Sequence, residues 1–232
     1  MGTPLLTATV HPLRRPCQPR RHRFFMPRRL TALVALACLA CPPTAAQALE
    51  LAALPTCPTA TQHCLTLQVW LPPGDHQDWL TQQLQTANDR LAVIGAAVQV
   101  VQVHQLPANR LRIDRVAQRD DLGKLGSQTP LRWFVVDRLM DNAEPGRQRK
   151  GVTWRAGSQV WVIESQQAWR WVLAHELGHV LGLPHSTEAH SIMNKAPRAW
   201  PPPWQLGFTA KEQPLMRRTL AKVLKQGRIG RK

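Results

Sequence analysis

The chain has 232 residues, with no tyrosine, four phenylalanines, and 14 acidic residues against 30 basic ones. Without tyrosine, no step can use a phenol as ligand or proton donor. The acidic residues are too scattered for a carboxylate-rich calcium loop, since Asp120, Asp121 and Asp141 lack the spacing such a loop needs. Cysteine is scarce as well: of five in all, only Cys57 and Cys64 lie beyond residue 48. The longest apolar stretch, residues 30–40, is too short to span a bilayer. No internal repeat or low-complexity tract is present.

What the N-terminus does contain is a leader pattern. Arg28 and Arg29 precede the apolar stretch, and Ala46-Gln47-Ala48 supplies a small-residue cleavage site. Residues 26–48, starting at Met26, read as a secretory signal peptide. Residues 1–25, with five arginines, are either an upstream-start artefact or a long basic extension of that signal. A lipoprotein signal acylated at Cys38 or Cys41 is the alternative, with a poorer local fit. The expectation is therefore an exported protein, periplasmic or secreted, with residues 49–232 as a single domain and no transmembrane segment. Cys57 and Cys64, an even pair in an exported chain, are expected to form a disulfide before the first strand; two free thiols are the other reading.

None of the acidic residues but seven of the basic ones precede residue 49, so the net charge of 49–232 is +9. Much of that excess sits at Arg217, Arg218, Lys222, Lys225, Arg228, Arg231 and Lys232, as on one solvated helix face and tail. No nucleic-acid motif accompanies it, so no specific nucleic-acid partner is expected, and the chain is read as a monomer.

The periodicities predict an α+β layout. Residues 64–71 alternate Leu65, Leu67, Val69 and Leu71 with Thr66 and Gln68, as in a half-buried strand. Residues 78–92 read as an amphipathic helix with Trp79, Leu80, Leu84, Ala87 and Leu91 inward. Strands are expected at 98–106 and 131–137, then a pair at 151–156 and 159–164. Residues 168–181 are apolar except for Arg170, His175, Glu176 and His179, which predicts a buried central helix, with Ser165 as N-cap. Thr209 and Glu212 form a capping box that starts a last helix, in which Pro214 could kink the first turns.

The central helix carries the chemistry. Residues four apart lie one turn above each other on one helix face, so His175 and His179 point the same way. Glu176 lies about 100° round from His175, which suits it to a water on a metal rather than to the metal itself. Gly182 ends the helix, and Pro184 stiffens the return of His185. Three histidines leave one tetrahedral position open, as in a catalytic rather than a structural zinc site. The plainer alternative is a buried helix with two hydrogen-bonded histidines and a surface His185.

Read as H-E-x-x-H-x-x-G-x-x-H, residues 175–185 resemble the extended zinc signature of the metzincin metalloproteases. Ser191-Ile192-Met193-Asn194 is similar to their methionine turn. Met193 lies eight residues after His185 and Ser186 directly follows that histidine, as in the matrixin branch. The resemblance implies a zincin-like catalytic domain, with a twisted, mostly parallel sheet on two long helices and a C-terminal helix after the Met-turn. It implies one catalytic zinc on His175, His179 and His185, with Glu176 as general base and Met193 as a hydrophobic floor. An edge strand at 151–155 would pair with a peptide or protein substrate, and residues 195–204 would border the pocket beyond the cut bond; the plainer alternative for that Pro- and Trp-rich stretch is a structural loop packed under the sheet. The implied activity is that of an exported zinc endopeptidase.

Several departures narrow this. Without tyrosine, the extra tyrosine ligand of astacins and serralysins is excluded. Arg15-Pro16-Cys17-Gln18 lies before the leader and is no cysteine-switch propeptide, while structural calcium and a second zinc site are not evident. The competing readings are a catalytically inactive zinc-containing envelope or adhesion module, and a basic binding domain dominated by its tail. Glu176 argues against the first, because binding needs the histidines but not a base.

Overall fold

Alternating apolar residues build a sheet whose two faces are both covered. The computed structural model describes residues 51–126, 131–144, 146–195, 201–202 and 205–225, together with the backbone of 230–231. The extension at 1–25, the leader at 26–48, most of 196–204, and Arg228 and Lys232 of the tail lie outside the described residues. In chain order the elements are β1 (His63–Leu71), α1 (Gln77–Leu91), β2 (Ala96–Gln105), β3 (Arg112–Ile113), α2 (Val116–Leu122), β4 (Leu131–Val136), β5 (Arg138–Leu139), β6 (Gly151–Ala156), β7 (Gln159–Ser165), α3 (Val172–Val180), α4 (Gln213–Lys225) and β8 (Gly230–Arg231).

The main sheet runs β2-β1-β4-β7-β6. Its first four strands are parallel, and β6 is an antiparallel edge reached through a hairpin at Gly157 and Ser158. The short β8 pairs antiparallel with β1 at Leu65 and Thr66. This is the expected α+β arrangement, a mostly parallel sheet packed with helices.

Period-two alternation sorts side chains to two cores. Leu65, Leu67, Val69 and Leu71 of β1, Trp133 and Val135 of β4, and Val162 of β7 share the larger cluster with α1, α3 and α4. Trp70, Phe134, Val136, Trp161 and Ile163 point the other way, onto Ile113, Leu122 and Leu139. In α1, Leu80, Leu84, Ala87 and Leu91 are buried as the helical spacing predicts, and Trp79 packs partly buried against them.

The second cover was not foreseen and corrects the reading of β1. Thr66 and Gln68 are buried; the 107–126 segment covers Gln68, whose Oε1 would lie 3.0 Å from a Cβ on Gly126. That segment offers few sequence cues: α2 has seven residues, with Leu122 its one buried apolar side chain. Its start is held by Gln118, whose Oε1 accepts the backbone N–H groups of Asp114 and Arg115. Arg132 of β4 is buried beneath it, donating to the carbonyls of Gly123 and Leu125 and lying 5.1 Å from the Trp161 ring.

Cys57 and Cys64 are joined by a disulfide, with Cα atoms 5.8 Å apart. It pins the chain ahead of β1.

Two helix boundaries differ from expectation. The central helix α3 has nine residues and begins at Val172, so it is short rather than long. Ser165 does not cap it; this residue ends β7, and its Oγ accepts the Gln167 N–H in a local turn. The C-terminal helix begins at Gln213. Glu212 Oε2 accepts the Thr209 N–H at 2.8 Å, so the carboxylate half of the capping box is made, while the Thr209 hydroxyl has no partner. Pro214 therefore falls in the first turn of α4, where its missing N–H costs nothing.

Candidate metal centre

His175, His179 and His185 come together at the C-terminal part of α3 and the turn behind it. Their potential ligand nitrogens all lie within 4.8 Å of one another. Gly182 makes this possible: with φ at 92° it takes the left-handed conformation that ends the helix and folds the chain back towards the histidines. The bonds from Gly182 N–H to His179 C=O and from Leu183 N–H to Gly178 C=O close the turn.

Two of the rings are oriented by backbone carbonyls. His175 Nδ1 lies 2.7 Å from Ile192 O, and His179 Nδ1 lies 2.7 Å from Leu183 O. A carbonyl can only accept, so each Nδ1 carries the hydrogen and each Nε2 keeps its lone pair for a metal. Burial holds all three imidazoles below the ordinary histidine range, His175 down to about 4, and the neighbouring histidines push His175 and His185 the same way. Neutral imidazoles converging within ligand distance are what zinc requires, so the residues fit the ion.

Glu176 is buried, with 4% of its surface exposed. Burial lifts its carboxyl to about 7, opposed by a hydrogen bond from Thr153. Thr153 Oγ1 lies 2.8 Å from Glu176 Oε2 and 2.8 Å from its backbone oxygen. On the other side, a Cβ on Gly151 would meet Glu176 Oε1 at 2.8 Å. Glycine at 151 therefore leaves just the room the carboxylate occupies.

The methionine turn closes the base of the site. Met193 is fully buried beneath α3, against Gly178. A Cβ on Gly178 would lie 2.9 Å from Phe208 Cε1 and closer still to Met193 Sδ. The turn is fixed through Ser191, whose Oγ accepts the Met193 N–H at 3.0 Å and donates to Glu212 Oε1 at 2.7 Å. Glu212 thus joins the turn to the start of α4.

His175, Glu176, His179, His185 and Met193 all lie at this locus; the cysteine pair belongs to the fold, and most of the segment 195–204 lies outside the described residues. The edge strand 151–155 and the turn at Ser191 were anticipated, but the contacts that Gly151, Thr153, Gly178, Ser191 and Glu212 make within the site were not. The period-two placing of Gly151 and Thr153 on β6, the first strand of the hairpin ahead of the signature, was their only available signal. A second buried carboxyl, Glu164 at the end of β7, was missed too. It accepts Trp133 Nε1–H at 2.9 Å, while its Oε1 has no hydrogen-bond partner. Burial first, and the charge of Glu176 second, hold its pKa well above the ordinary carboxylate range.

The matrixin family model matches residues 134–203, which run from β4 through α3 to beyond Met193. No curated protein matches the chain. Among solved structures it is similar to archaemetzincin from Methanopyrus kandleri, at 16% identity, over 71% of this chain and 98% of that one, with a TM-score of 0.49. It is also similar to metalloproteinase-II from Bacteroides fragilis, at 17% identity, over 72% of this chain and 56% of that one, with a TM-score of 0.48. Residues 134–203 are thus similar to the matrixin family, and that match supports a zinc metallopeptidase.

Proposed function

We propose that this protein is an exported zinc endopeptidase of the matrixin branch, with His175, His179 and His185 as zinc ligands and Glu176 as general base. The observation that carries the reading is a buried carboxylate, oriented by Thr153, beside three convergent neutral imidazoles. A module that only bound zinc would not need it. Bound zinc supplies a Lewis acid for the scissile carbonyl and brings the pKa of a water ligand towards neutrality.

The protein's own groups do the rest. Glu176, its carboxyl lifted to about 7 by burial, accepts the proton of the attacking water and returns it to the leaving nitrogen. Thr153 holds that carboxylate in place. Met193 supports the ligands from below without joining them. Edge strand β6 offers its outer side to an extended substrate backbone, as in strand addition. Export is supported by the leader pattern at 26–48 and by the disulfide.

The test is Glu176→Ala with zinc content measured beside cleavage of casein or a quenched peptide library. The variant should keep its zinc and lose cleavage by at least about a thousandfold. Zinc-loaded wild type that cleaves nothing, or a variant that cleaves as well as wild type, overturns the reading.

A further inference from the structure

Strand β6 and helix α3 lie against each other in a fixed correspondence. Gly151, Thr153 and Arg155 share one face of the strand. Gly151 meets Val172 and Glu176, Thr153 bonds Glu176, and Arg155 Nη2 donates to the His179 carbonyl at 2.8 Å. The exposed Arg155 thus stands level with the second histidine, on the strand proposed to bind substrate. Its bond to the carbonyl orients the guanidinium fork and uses one of five donors. Among the described residues no carboxylate pairs with it.

Apart from the carboxyls of Glu176 and Glu164, the side-chain charges felt at the site are positive. Arg155 acts electrostatically on His179, Lys195 and Arg149 on His185, and Arg149 on Glu176. The nearby acids are already engaged: Asp141 holds Arg149 at 2.9 Å, Glu188 pairs with Lys211 at 2.6 Å, and Glu212 bonds Ser191 and Thr209. Lys195, like Arg155, has no ion pair among the described residues. The rim of the site therefore carries uncompensated positive charge, and a low-dielectric cleft lined by one sign concentrates the opposite one.

We infer that this site selects peptides with Asp or Glu beside the bond to be cut, Arg155 being the specificity-determining residue and Lys195 reinforcing it. The inference rests on the peptidase reading above. Arginine suits the role because its planar fork matches a carboxylate in a way an ammonium does not.

The experiment uses zinc-loaded protein and quenched peptides that place Asp or Glu, Asn or Gln, or Lys at each position flanking the cut bond. At low salt, kcat/KM for the acidic peptides should exceed that for their amide counterparts about tenfold. The ratio should shrink as ionic strength rises. Arg155→Gln keeps a donor for the His179 carbonyl, so it should reduce cleavage of acidic peptides alone. Arg155→Lys should restore part of the preference and Arg155→Glu should shift it towards lysine peptides, with zinc content unchanged throughout. Equal rates on acidic and amide peptides overturn the inference, as does an Arg155→Gln variant slowed equally on every peptide. Zinc-loaded wild type that cuts no peptide overturns the peptidase reading and this inference together; cutting without acidic preference overturns this one alone.

Discussion

Replacing Gly178 by alanine sets two known effects against each other. Glycine within a helix costs about 0.8–1.0 kcal/mol relative to alanine, so on propensity alone Gly178→Ala would stabilise α3. The added methyl, however, would point into Met193 and lie 2.9 Å from the Phe208 ring, where neighbouring atoms are already in contact. Met193 is fully buried and Phe208 is 6% exposed, so neither can swing into solvent to make room. Overpacking of this kind costs about 1–3 kcal/mol, which leaves a net loss of roughly 1 kcal/mol after the propensity gain. For a domain of this size that is a fall in Tm of about 2–4 °C, measurable by circular dichroism in zinc-containing buffer. The displacement should also reach the metal. Met193 follows Ile192, whose carbonyl orients His175, and disturbing such a support typically lowers metal affinity about 10- to 100-fold. Competition with a chromophoric chelator measures that change. A variant with Tm equal to or above wild type and unaltered zinc affinity would refute the packing argument.

The other two predictions concern buried carboxyls. Thr153→Val removes the hydroxyl that favours the ionised form of Glu176. The acid limb of the kcat/KM–pH profile should therefore move to higher pH, and an unmoved limb would show that Thr153 does not act on the base. Glu164 has its folded pKa raised by burial, so above its unfolded value near 4.3 the folded state retains a proton that the unfolded state has lost. Its contribution to stability thus declines as pH rises, by at most about 1.4 kcal/mol per pH unit. Glu164→Gln should gain on wild type in urea unfolding between pH 5 and pH 8; parallel stability curves would count against this account.

The three histidines and Glu176 were legible because their relations are local. Helix pitch and one glycine turn set them within eleven residues, and no distant contact is needed to infer that they converge. Thr153 and Arg155 were not legible, because their role depends on how far β6 slides along α3, which no sequence spacing states. Ser165 misled because a serine can cap a helix or close a turn, and here the end of β7 claims it first. The 107–126 cover was missed for a different reason. Its buried anchors include Arg119, and an arginine satisfied by carbonyls looks in sequence like a surface residue.

The bond between Ser191 and Glu212 makes the centre depend on chain well beyond its own signature. All three histidines lie by residue 185, yet the turn that orients His175 is fastened by a carboxylate 27 residues further along the chain. A chain cut between them would carry the whole histidine signature without the brace beneath it, so an intact signature is not by itself an intact centre.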